Sequence, residues 1–126
     1  MAFDYDDNNI FARILRGEIP NDTVAENLHA LAFRDIAPKA PSHVLVIPKG
    51  RYVSFDDFAA NASAEEIAGF MRLCAEVARK EGVSLEGGNG FRAITNAGPD
   101  GVQEVPHFHL HIMGGRMMGP MLSLRD

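Results

Sequence analysis

Pro106-His107-Phe108-His109-Leu110-His111-Ile112-Met113 alternates histidine with bulky apolar residues. On an extended strand a period of two sends all three imidazoles to one face and Phe108, Leu110 and Ile112 to the other. Neighbouring histidines then stand about 7 Å apart along the strand, close enough to surround one tetrahedral group once the strand twists. Neutral imidazole attacks phosphorus, charged imidazole donates a proton, and either form hydrogen-bonds a phosphate oxygen. An ordinary pKa near ~6.5 keeps these roles open at neutrality. Phosphoryl or nucleotidyl transfer through a phosphohistidine is one chemistry that the pattern serves. A transition-metal site is another, since alternate histidines on a strand also suit zinc or nickel. A closed structural zinc site is disfavoured, because the sole cysteine, Cys74, lies in the apolar stripe of a helix and no Asp or Glu follows the strand at short spacing.

The elements that must carry this segment are legible as an α+β pattern. Asp6, Asp7 or Asn8 is placed to cap a short helix with Ile10, Phe11, Ile14 and Leu15 on one side and Gly17 beyond its end. Ser63-Ala64-Glu65-Glu66 is a capping box, and Ile67, Phe70, Met71, Cys74, Val77 and Ala78 follow at helical spacing up to Gly82. Strands are expected over 23–27, 30–35, 43–47, 91–96 and 107–113. Between the last two, residues 96–106 are rich in turn formers and form a candidate binding loop. The glycine clusters at 87–90 and 114–115 lack the Lys-Ser/Thr of a P-loop and the spacing of a dinucleotide fingerprint, so they read as tight turns. Asp4, Asp6 and Asn8 imitate the start of a calcium loop, but Asn9 and Leu15 stand where it needs Gly and Glu, so this end reads as solvated and frayed. Cys74 reads as a buried, inert thiol.

The rest of the composition narrows the function. With 126 residues, 46% of them hydrophobic and 23% charged, the chain forms one globular domain spanning residues 1–126. Seventeen acidic against twelve basic residues leave a net charge of −5, which disfavours nucleic acid as a partner. The first twenty residues are acidic where a leader peptide would be basic, and the longest purely apolar runs, such as 44–47, fall far short of a membrane span. With a single cysteine unable to form an internal disulfide, these features point to the cytoplasm.

His107-Phe-His109-Leu-His111-Ile-Met resembles the His-φ-His-φ-His-φ-φ signature of the histidine triad (HIT) superfamily, and Gly114-Gly115-Arg116 after it is similar to the branch of histidine triad nucleotide-binding (Hint) proteins. Asn9-Ile-Phe-Ala-Arg-Ile-Leu-Arg-Gly-Glu-Ile-Pro20, and the stretch from Phe33 to Lys49, resemble that branch in order and spacing, so about residues 8–116 are covered. The resemblance implies a HIT-like fold: a five-stranded antiparallel sheet with two helices, paired across a two-fold axis into a homodimer. It also implies binding of purine nucleoside monophosphates of the AMP or GMP type, and hydrolysis of the P–N bonds of nucleoside phosphoramidates and nucleotidylated lysine, with no metal or other cofactor. Carried over residue by residue, His109 matches the nucleophile, and His107 and His111 match the residues that hold the phosphate and manage the proton. His43 matches a fourth histidine near the phosphate. Asp35 matches the carboxylate that accepts the ribose hydroxyls, with Ile36 in apolar contact with the nucleoside. Asn96 and the backbone of Val102, Gln103 and Glu104 match a loop that approaches the phosphate. Glu104 stands where animal Hint proteins have Ser, Val102 where they have Gly, and the Met-rich tail lacks their Trp near the C-terminus.

Three other functions fit parts of this pattern. A dinucleoside polyphosphate hydrolase uses the same superfamily signature, although the Gly114-Gly115-Arg116 segment and short tail are more similar to the Hint branch. A nucleotide-binding regulatory module would keep the pocket with incidental turnover. A metal-binding protein would use the aligned imidazoles as ligands.

Overall fold

The computed structural model describes residues 3–122. Helix α1 (Ile10–Leu15) is followed by strands β1 (Thr23–Glu26), β2 (Ala30–Arg34) and β3 (Ser42–Pro48), helices α2 (Phe55–Asn61) and α3 (Ala64–Lys80), and strands β4 (Phe91–Ile94) and β5 (Leu110–Gly114). The five strands form one sheet in the order β1-β2-β3-β5-β4, and every neighbouring pair is antiparallel.

β3 lies at the centre and is buried along its whole length, which its unbroken apolar run 44–47 anticipates. Its side chains divide by parity. Val44 and Val46 join Phe58, Phe70, Leu73, Val77, Phe108 and Ile112 in a core beneath α3. Leu45 and Ile47 face the other way and pack with Phe11, Leu31 and Phe33 under α1. His43 has the parity of Leu45, and the pairing of Leu45 with His111 puts that histidine on the α1 side too.

Both expected helices form. The capping box of α3 is complete, with the Ser63 side chain accepting from the Glu66 amide and Glu66 accepting from the Ser63 amide. Leu73 rather than Met71 completes its buried stripe, and Met71 is exposed. The cap of α1 is Asn9, whose side chain accepts from the Ala12 amide; it is not one of the three residues before it. The unexpected element is α2. Asp57 accepts from the Val53 amide at 2.8 Å and so ties off its start. Ser54-x-x-Asp57 is a capping-type pattern that could have revealed the helix. α2 brings Phe58 into a cluster with Phe70 and Phe108, at ring-centroid separations of 5.0–5.2 Å.

The strand expected over 107–113 is shorter than the alternating pattern. β5 begins at Leu110, because its ladder with β3 ends at the Val46–Leu110 pair and its ladder with β4 at Ile94–His111. Ahead of it the chain stays extended through isolated bonds: the Phe108 amide donates to the Tyr52 carbonyl, and the Thr95 hydroxyl donates to the His109 carbonyl. Phe108 therefore still points into the α3 core while the histidines on either side face α1.

Phe108 thus holds the histidine segment in place by packing. Truncation in Phe108→Ala is expected to cost roughly 3–5 kcal/mol of unfolding free energy in urea titration. A loss below about 1 kcal/mol would show that the aromatic cluster does not anchor this segment.

Candidate active site

His107 is 0% exposed. One ring nitrogen, Nε2, lies 2.8 Å from the Pro48 carbonyl oxygen, which can only accept, so Nε2 carries the proton. Nδ1 of the neutral ring is then an acceptor, and it takes the Tyr5 hydroxyl proton at 2.5 Å. Both nitrogens are committed within the protein. Burial pushes this histidine down to about 4, so it is neutral at physiological pH.

His109 is oriented by the same logic. Its Nδ1 is 2.7 Å from the His107 carbonyl oxygen and must donate to it. The lone pair of the neutral ring therefore resides on Nε2. The Phe11 ring meets the imidazole edge-on at a centroid distance of 4.9 Å, which restricts its rotation. Burial lowers its pKa, and the negative charges of Asp35 and Glu104 oppose that shift.

The third imidazole faces His109 at 5.2 Å between ring centroids. His43 sets its protonation. The Lys39 amide donates to His43 Nδ1 at 3.0 Å, so the neutral His43 ring is protonated on Nε2. That N–H donates to His111 Nδ1 at 2.9 Å. His111 is thereby left with its proton on Nε2. Burial first, then the neighbouring His109 and His43, push it down to about 4; burial also lowers His43.

Asp35 follows the end of β2, where its amide donates to the His43 carbonyl and its Oδ1 accepts from the Ala37 amide at 2.8 Å. Its Oδ2 lies 3.4 Å from His43 Nε2. Both oxygens keep lone pairs for further donors. Arg34, the preceding residue, is bound through both terminal nitrogens to Glu81 just beyond α3, and Ser42 donates to the same carboxylate. Ile36 is 99% exposed, a large apolar side chain left in water beside the carboxylate.

The loop over 96–106 is stiffened by its own polar groups. Asn96 donates to the Gly101 carbonyl at 2.6 Å. Gln103 donates to the Val53 and Val105 carbonyls and accepts from the Gly98 amide. The Val102 and Gln103 amides donate to Pro99 and Gly98 inside the loop. The sequence suggested three backbone groups facing a phosphate; two of those N–H groups are spent, and among the described residues the Glu104 amide has no backbone acceptor. Val102 sits at φ 58°, the left-handed region that a β-branched residue strongly disfavours and glycine tolerates.

Asp35, His43 and His111 also offer three ligand-type atoms within 4.8 Å of one another. A divalent ion could take Asp35 and His111, but His43 fits poorly. Its Nδ1 accepts from an amide, so Nε2 would have to lose its proton and leave an imidazolate. Cys74 is elsewhere, packed against the α3 core with its thiol pushed up to about 12 by burial.

Alternation put His107, His109 and His111 on one face and the family resemblance added His43 and Asp35; the structure brings Asp35, His43 and His111 within 4.8 Å of one another. Sequence reasoning missed Tyr5, Phe11, Pro48 and Tyr52 as their supports. Phe11 was visible only as a packing residue, and the backbone roles of Pro48 and Tyr52 have no side-chain signal at all.

Two outcomes follow from this geometry. Val102→Gly is expected to raise stability by about 1 kcal/mol, as relief of the left-handed strain exceeds the added backbone entropy; a lower urea midpoint would contradict it. The second concerns pH. Above 6.5, the ordinary histidine value, His107 is neutral whether folded or unfolded, but between there and about 4 only the unfolded chain binds the proton. Stability should therefore fall with pH from near 6.5, by on the order of 3 kcal/mol from His107 alone. Urea midpoints flat down to pH 4.5 would refute the depressed value.

The HIT domain model matches residues 16–118. A HIT-like protein of Azospirillum brasilense is 56% identical over 123 residues, covering 98% of each chain. Purine nucleoside phosphoramidase of Escherichia coli strain K12 is 41% identical over 118 residues, covering 93% of this chain and 95% of its own. A 14 kDa zinc-binding protein of Zea mays is 42% identical over 118 residues, covering 90% of this chain and 86% of its own. Among solved structures, a HIT family hydrolase from Legionella pneumophila superimposes with a TM-score of 0.78 at 41% identity, over 89% of this chain and 96% of that one. With the open antiparallel sheet and the histidine cluster on its α1 face, these likenesses establish that the chain belongs to the HIT family of hydrolases.

Proposed function

We propose that this HIT-family hydrolase is a purine nucleoside phosphoramidase that works through a nucleotidyl-histidine intermediate. The observation that carries the reading is the His109 tautomer: Nδ1 donates to the His107 carbonyl, leaving a lone pair on Nε2. Nε2 attacks the α-phosphorus, the P–N bond breaks, and the amine leaves with the bonding electrons and takes a proton from water. Water then attacks the same phosphorus, releasing the nucleoside monophosphate and returning neutral His109. Two displacements give overall retention at phosphorus.

Apportionment of the other histidines follows from their free groups. His111 retains an N–H on Nε2 beside His109, and as a neutral ring it hydrogen-bonds the phosphoryl oxygens without giving up that proton. His43 fixes that tautomer from behind. His107, with both nitrogens engaged, acts by holding its own carbonyl for His109. Asp35 accepts the ribose hydroxyls while exposed Ile36 covers an apolar part of the nucleoside. Asn96 and Gln103 shape the loop around Val102, and the Glu104 amide, without a backbone acceptor among the described residues, is the group we assign to the phosphate.

Glu104 supports an amine as leaving group. Its side chain is exposed, yet its charge acts on His109. A departing ammonium would be attracted to that carboxylate, whereas the extra phosphates of a dinucleoside polyphosphate would be repelled. The name of the Escherichia coli relative agrees with P–N chemistry.

The reading includes a homodimer and residence in the cytoplasm. β4 ends the sheet, with Phe91 exposed on it and Leu85, Met117 and Met121 exposed in the segments that flank it. Such an edge with apolar surroundings suits pairing with a second copy. Among the described residues no helix is long and apolar enough to cross a membrane, and Cys74 is a free thiol.

The test is AMP release from an adenosine 5′-phosphoramidate of a simple amine, with chelator present. Wild type should turn over, and His109→Ala should lose at least about three orders of magnitude in kcat/KM. Retained activity in the variant would remove the intermediate. Activity abolished by chelator and restored by zinc would instead favour the metal-dependent reading that the name of the Zea mays relative raises.

A further inference from the structure

The start of the chain, which the sequence presents as frayed, is tied to the active site. Asn9 donates through its side chain and its amide to the Asp6 carbonyl. Asp7 is held through both carboxylate oxygens by Arg51, at 2.9 Å each, and its carbonyl accepts from Arg16. The Arg51 guanidinium lies 5.1 Å from the centroid of the Tyr5 ring. Between these anchors Tyr5 meets His107 edge-on, at 5.5 Å between ring centroids. Because Nε2 of the neutral His107 ring donates to the Pro48 carbonyl, its Nδ1 is an acceptor and the phenol is the donor.

We propose that Tyr5 is a positioning residue for His109, acting through His107. The hydroxyl fills the buried Nδ1 of His107 and so keeps the opposite N–H on the Pro48 carbonyl. A ring pinned at both nitrogens fixes the residue whose carbonyl receives the His109 proton. Without the hydroxyl, the buried Nδ1 has no donor, and the ring escapes that deficit by rotating or shifting its proton. Either move disturbs the His107 carbonyl. His109 then populates the tautomer protonated on Nε2, which has no lone pair for phosphorus.

Tyr5→Phe keeps the ring and removes only the hydroxyl. Long-range ¹⁵N–¹H histidine spectra of the full chain should show His109 purely Nδ1-protonated in wild type. In the variant, a measurable share should be Nε2-protonated. The kinetic consequence rests on the phosphoramidase reading: kcat should fall about tenfold with KM changed less than about twofold. A His109 tautomer identical in the two proteins would overturn the proposal, whatever the rates. Wild type inert toward the phosphoramidate would sink the functional reading alone, and the spectra would still decide the part played by Tyr5.

Discussion

The hydrogen bond from His109 Nδ1 to the carbonyl of His107 is the constraint around which the rest of this molecule is arranged. It joins side chain to backbone two residues apart, so its geometry depends on the orientation of a single peptide group. That group is held at both ends. Its N–H belongs to Phe108 and donates to the Tyr52 carbonyl, while its C=O takes the imidazole proton. Tyr52 in turn donates its hydroxyl to Glu66, the residue that completes the α3 capping box. Burial and that carboxylate push the Tyr52 phenol up to about 12, which keeps it a donor. Helix start, aromatic core and the His109 tautomer are therefore one connected structure.

Burial makes the arrangement possible as well as stable. A charged imidazole would donate from both nitrogens, and no tautomer would then be selected. Withdrawing His107 and His111 from water holds both near 4, so hydrogen bonding alone decides where each proton resides. At His109 the bond to the His107 carbonyl, then Asp35 and Glu104, oppose the lowering by burial. Asp35 opposes burial at His43 and His111 as well, whereas Glu104 acts on His109.

Much of this could be read from the residues. Alternation alone placed His107, His109 and His111 on one face opposite Phe108 and Ile112. The parity of His43 with Leu45 followed once 43–47 was taken as a strand. What sequence could not carry was anything decided by a backbone atom. The Pro48 carbonyl, the Lys39 amide and the His107 carbonyl choose the tautomers; any residue supplies such a carbonyl, and any but proline such an amide. Tyr5 was missed because its acidic neighbours suggested solvation, when Asp7 is in fact bound by Arg51 from beyond β3. α2 was missed because Phe58 is the one apolar side chain that it buries, which sets no helical period.

The loop over 96–106 illustrates how rigidity is obtained where no sheet is available. Its polar side chains point inward to its own carbonyls, and Gln103 reaches across to Val53, just before α2. Holding Val102 at a positive φ is unfavourable, and the strain persists because the bonds on either side determine the path of the chain. The effect is local: with two amides turned inward, the next one, at Glu104, is left for an outside acceptor. A glycine at 102 would relax the same path without changing it. The strain is therefore a by-product of the closure made by Asn96 and Gln103, which leaves the Glu104 amide without a backbone acceptor among the described residues.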